Sequence, residues 1–160
     1  MNALANLDLQ ESVTAIAQDV FETMLSMAVV VAPNEVAPQI SGCRIVGSVS
    51  FAGAVMGTLN IHVGRNFADC ITAAMLGMQV EEIEDESEVH DVIGELSNMI
   101  AGDIKSRLCD AGLSCELSIP STTSGTDFKI ESMGWNRFER FKLQSGRHAA
   151  WIEVSVTTGA

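Results

Sequence analysis

Apolar residues recur at helical spacing near the start of the chain. Val13, Ile16, Ala17, Val20, Met24 and Met27 fall on one face of a helix predicted over 8–27. Pro33 and Pro38 then break the regular pattern and mark a connecting loop. The period next changes to two. Leu59, Ile61 and Val63 alternate with Thr58, Asn60 and His62, the signature of a half-buried strand over 54–63. A turn at Ala52 and Gly53 pairs it with a strand at 43–51. A short helix at 66–76 is closed by Gly77, and a long helix over 86–111 stops at Gly112. Strands are expected at 113–119, 126–132, 136–144 and 149–157, punctuated by Gly125, Gly134 and Gly146. The last is the clearest, with Ile152, Val154 and Val156 alternating with Glu153, Ser155 and Thr157. The order helix, strands, helices, strands predicts an α+β fold in which helices cover one antiparallel sheet.

Length and composition narrow the class. A chain of 160 residues suits a single domain, 1–160, around one core, and the loop near Pro33 is too short and too apolar to be a domain linker. Hydrophobic residues make up 47% of the chain, which implies a folded globular protein. No apolar run approaches bilayer length, and the N-terminus lacks a basic segment followed by an apolar one, so a cytoplasmic location is expected. A net charge of −12 argues against nucleic acid and against anionic membrane, which both reward positive charge. Cys43, Cys70, Cys109 and Cys115 form no CxxC pair and no zinc spacing, and are expected as reduced, mostly buried thiols. The eight methionines are expected to fill the core.

The long helix carries two opposed stripes. Ile93, Leu96, Ile100, Ile104 and Leu108 form the one that should bury against the sheet. Asp91, Glu95, Asn98 and Gly102, at i, i+4, i+7 and i+11, form the exposed one. Asn is a poor helix-interior residue because its amide competes for backbone hydrogen bonds, and Gly94 and Gly102 each cost about 1 kcal/mol relative to Ala. A merely solvated face would favour Lys, Glu or Ala. Gly102, one turn beyond Asn98, leaves space for another protein to approach. The acidic run from Glu81 to Glu88 has a simpler account, since it lies at the helix N-terminus and complements the dipole. His62, His90 and His148 read as exposed polar groups without a metal partner. Ser97 points to the apolar face and lacks a base. No metal cluster is apparent.

The stretch from Asp91 to Lys105, DVIGELSNMIAGDIK, with an acid, three residues, Glu, two residues and Asn, resembles the CheC/CheX/FliY family of chemotaxis phosphatases, and most closely its CheX branch. The family's downstream proline is matched by Pro120, one residue closer to the helix than the usual spacing. The similarity reaches upstream through the Gly53–Gly57 hairpin and Ala74 to Gly77, downstream through Gly125, and covers most of the chain beyond about residue 40. Some relatives carry a second ExxN on the first helix. Glu11 is followed here by Thr14, so one site per chain is expected.

The resemblance implies a substrate, the aspartyl phosphate of a CheY-like receiver domain, with any Mg2+ carried by the receiver and no cofactor held by this chain. Hydrolysis of such an acyl phosphate needs an in-line water and control of charge more than covalent catalysis. Asn98 would position the water through its carboxamide. Glu95 would engage the receiver's active-site lysine. Asp91 and Gly102 would support the stripe, and Pro120 would shape the neighbouring turn. The resemblance also implies a homodimer joined through sheet edges, with the final strand as the expected edge. Two alternatives share the fold: a non-catalytic adaptor binding receivers or flagellar-switch proteins, and a structural dimerisation domain.

Overall fold

The structure is a computed structural model that describes residues 7–126, 128 and 137–158. Helix α1 spans Leu9–Leu25, and Asp8 starts it by accepting the Glu11 backbone N–H at 3.0 Å. Strand β1, Val30–Pro33, precedes the hairpin of β2, Arg44–Gly53, and β3, Val55–Gly64. Helix α2, Arg65–Leu76, ends at Gly77, whose φ of 65° is the left-handed conformation that glycine adopts freely. After a 3-10 turn at Val80–Glu82 comes α3, Glu86–Asp110, capped by Asp85. Strands β4, Cys115–Leu117, β5, Ser121–Gly125, β6, Arg137–Ser145, and β7, His148–Thr158, complete the order.

All seven strands join one antiparallel sheet in the order β1-β6-β7-β3-β2-β4, with β5 also pairing with β2. Three helices pack on one face. Ile45 and Val49 of β2, Leu59, Ile61 and Val63 of β3, and Ile152, Val154 and Val156 of β7 meet Ile93, Leu96, Ile100, Ile104 and Leu108 of α3 in a dry core. The predicted α+β architecture is therefore the observed one.

Several expectations need correction. The final strand is not an edge, because β7 lies between β6 and β3; the sheet ends instead at β1 and at the β4–β5 side. Strand β5, Ser121–Gly125, formed in a stretch to which no element was assigned, while the strand predicted at 126–132 falls at 127 and 129–132 outside the described residues, as do Gly134 and Trp135. Strand β1 formed within the stretch read as a loop; it is a short edge strand, where Pro33 forfeits no interior ladder bond. Among the described residues the methionines do not fill the core: Met24 and Met56 are exposed, and Met27, Met75 and Met99 pack at its margin. Among the cysteines only Cys115 is buried; Cys43 and Cys70 are half-buried and Cys109 is exposed.

The middle of the sheet face away from the helices is also buried, against the half-buried reading of the strand at 54–63, although Ser50, Met56 and Phe138 on that face are exposed. Asn60, His62, Glu153 and Ser155 are each at most 5% exposed. They lie on adjacent strands in register, Asn60 opposite Glu153 and His62 opposite Trp151. Glu153 accepts from Arg140 Nε at 2.7 Å and shares a 2.6 Å hydrogen bond with His62 Nε2. Burial alone would raise the Glu153 carboxyl, but the hydrogen bond and charge of His62, then those of Arg140, outweigh it and hold the group below its ordinary 4.5.

Candidate functional site

Helix α3 is seated by close approach to β2. Gly47 lies beneath Ser97 and Ile93; a Cβ at Gly47 would overlap Ser97 Oγ and come within 3.1 Å of the Ile93 carbonyl. Ser97 is fully buried and its hydroxyl donates to that carbonyl at 2.8 Å. It is a packing residue, as its place on the apolar face implies.

With the apolar stripe buried, the opposite one turns outward. Asp91 and Glu95 are exposed, and Asn98 and Gly102 are half-buried. No described residue forms a side-chain hydrogen bond or ion pair with Asp91, Glu95 or Asn98, so the acids and the amide keep their full bonding capacity. A Cβ at Gly102 would meet nothing within 4 Å, so packing inside the chain does not require glycine there. Gly94 is buried, yet a Cβ would make only ordinary contacts, at 3.6 Å to Thr122 Cγ2 and 3.9 Å to Pro120 Cβ.

Those contacts bring Pro120 beside the helix stripe. Going round α3 from Gly94, Asn98 comes about 40° on and Glu95 about 100° on, so Asn98 is the motif residue nearer the proline. Strand β5, which follows the proline, is tied to the helix by His90, whose Nδ1 lies 2.9 Å from Thr122 Oγ1. This tie was missed in the sequence, where His90 read as a solvated group; thirty-two residues separate the partners and no local pattern links them.

The other histidines also have structural surroundings. His62 is buried against Glu153, which corrects its reading as an exposed group. His148 is half-buried, stacked on Phe67 with ring centroids 5.0 Å apart, and its Nε2 lies 3.8 Å from Cys70 Sγ. On α1, Glu11 accepts from Arg107 Nη1 at 2.7 Å and is thereby committed to holding α1 against α3. Among the described residues, no three His, Cys, Asp or Glu side chains cluster as metal ligands would. No described helix is long and apolar enough to cross a membrane.

Comparison with known proteins bears on the family and the fold. The family model described as chemotaxis phosphatase CheX matches residues 45–144, which span β2 through nearly all of β6 and include all of α3. A curated relative, the CheY-P phosphatase CheX of Thermotoga maritima, is 31% identical over 90 residues. That match covers 56% of this chain and 57% of the relative, a little over half of each. The crystal structure of the chemotaxis protein CheX from Vibrio vulnificus superposes with a TM-score of 0.78 at 24% identity, covering 91% of this chain and 97% of that one. The CheX chain of the CheX–CheY–BeF3–Mg2+ complex from Borrelia burgdorferi superposes at 0.79 with 18% identity, covering 93% of this chain and 97% of its own. At these identities the solved structures speak for the fold, while the family match extends over more than half of the chain. The chain belongs to the family of the chemotaxis phosphatase CheX.

Proposed function

We propose that this protein hydrolyses the aspartyl phosphate of a CheY-like receiver domain, with the exposed stripe of α3 as its active surface. The observation that carries the reading is the state of Glu95 and Asn98: adjacent on one helix face, accessible, and unpaired among the described residues. A family whose curated relative is named a CheY-P phosphatase supplies the substrate class. The solved complex of a family member with CheY, BeF3 and Mg2+ supports placing the metal on the receiver's side of the reaction.

The chemistry asks little of the protein beyond placement. Water attacks phosphorus in line, the bond from phosphorus to the receiver's carboxylate oxygen breaks, and inorganic phosphate leaves. Asn98 accepts a hydrogen bond from that water and aims its lone pair at phosphorus, while its amide N–H group donates to the receiver. The carboxamide does not ionise near neutral pH, so its role is orientation. Glu95, one turn earlier, pairs with the receiver's lysine and sets the register of the helix over the phosphate. Asp91 adds negative charge to the same stripe, and Pro120 holds the adjoining loop against Gly94.

Phosphate release from the organism's phosphorylated receivers tests this. The wild-type protein accelerates release from at least one of them. Asn98→Ala lowers turnover by about 100-fold, the scale of a lost positioning group, with receiver affinity retained. Glu95→Ala weakens both affinity and turnover. Binding of a receiver without faster release would favour the adaptor, and neither binding nor release from any receiver would sink the reading.

A further inference from the structure

We propose that Ile119 is an apolar anchor that seats the receiver beside Asn98 and Glu95; the inference rests on the phosphatase reading above. The argument begins with strand register. Leu117 lies opposite Phe51, whereas Ser121 lies opposite Ser48. Four steps along one strand therefore cover three along the other, which places a bulge of one residue at Ile119-Pro120. Proline explains why it falls there, since a residue without an N–H is accommodated at a bulge on a sheet edge.

The bulge is pinned on both sides. The Ser118 backbone N–H donates to the Ser50 carbonyl at 2.9 Å. The Ser118 hydroxyl accepts the Ser50 N–H at 2.9 Å and donates to the Ile119 carbonyl at 3.1 Å. Beyond Pro120, Thr122 is held by His90 of α3. Ile119 is thus carried on a fixed backbone with its residue surface 89% exposed, the highest value among the large hydrophobic residues described as exposed.

Single apolar residues on a surface are ordinary, and exposure alone would carry nothing. Position is what distinguishes Ile119. It immediately precedes the proline that packs beside Gly94, on the flank of α3 nearer Asn98, and the acidic pair Asp91 and Glu95 lies on the far side of that amide. A partner fitting this surface presents an apolar recess on one side of the reacting group and a cation on the other. Burying one β-branched side chain on contact adds affinity without requiring any rearrangement of this chain.

The test compares Ile119→Ser and Ile119→Val with wild type, reading KM and kcat for receiver dephosphorylation and the Kd for the same receiver. Ile119→Ser raises KM and Kd by about tenfold and leaves kcat within about twofold, the pattern of lost uniform binding. Ile119→Val stays close to wild type. Equal melting temperatures check that the fold is intact. An unchanged KM and Kd in Ile119→Ser, or a loss confined to kcat, overturns the anchor while wild-type activity leaves the phosphatase standing. A wild-type protein inert toward every receiver overturns both.

Discussion

Asn98 and Gly102 are poor helix residues for different reasons, and the structure separates them from the demands of folding. Neither is needed by the core. The amide has no side-chain partner among the described residues, and a Cβ at Gly102 would project into open space. Gly102→Ala should therefore stabilise the helix by about 1 kcal/mol and raise the melting temperature by about 3 °C. If the gap serves close approach by the receiver, the same substitution raises KM by about tenfold. Thermal denaturation and steady-state dephosphorylation read the two effects independently, and a more stable protein with unaltered KM would remove Gly102 from the site. The stripe itself was legible in the sequence because all four residues lie on a single helix, where spacing translates directly into facing. The tie from His90 to Thr122 and the burial of His62 were not, because their partners come from other elements.

At the scale of elements, the contact between α3 and β2 decides how high the exposed stripe stands above the sheet. Gly47 makes that contact close, and the site of approach is backbone as well as side chain: the Ile93 carbonyl and the buried Ser97 hydroxyl both lie over it. Gly47→Ala should cost about 1–3 kcal/mol through overpacking, seen as a lower urea midpoint with little change in m-value. Pairing it with Ser97→Ala should recover part of the loss by removing the overlapping hydroxyl. A stability equal to wild type in Gly47→Ala would show that the helix can lift at no cost. The elements that carry strong periodicity were predicted to within a few residues. Strands β1 and β5 were not, since both are short and largely exposed, and Ser, Thr and Pro there follow no alternation. Their strand conformation comes from the neighbours β6 and β2, which offer unpaired edges.

For the molecule as a whole, the polar face of the sheet holds a buried cluster at its centre. His62, Glu153 and Arg140 link three neighbouring strands, β3, β7 and β6, in one network. Folding holds the Glu153 carboxyl below its ordinary 4.5, so the unfolded chain binds the additional proton. The stability from this group is present in full above 4.5 and drains away as the pH falls from there through the lower folded value. Urea midpoints measured downward from about pH 6 should fall as that window is crossed. Glu153→Gln should show a shallower fall; an identical pH dependence would remove the group from the acid response. His62 Nδ1, Thr58 Oγ1 and Ser155 Oγ in the same cluster are buried without a hydrogen-bond partner among the described residues. The cluster therefore depends on the contacts that Glu153 does make.

The amino-acid sequence by itself determined the α+β class, the paired stripes of α3, and the motif from Asp91 to Asn98 with its downstream Pro120. These are local properties: a periodicity or a spacing along one element survives whatever the rest of the chain does. It took the tertiary structure to show that β7 runs through the middle of the sheet, that Glu153 and Ser155 on it are buried, and that the register between β2 and its partners slips by one residue at Ile119-Pro120. Each depends on which strand lies next to which and in what register. Such pairings join residues far apart in the chain, through backbone hydrogen bonds that every residue except proline can donate, so no side-chain pattern within one strand announces them.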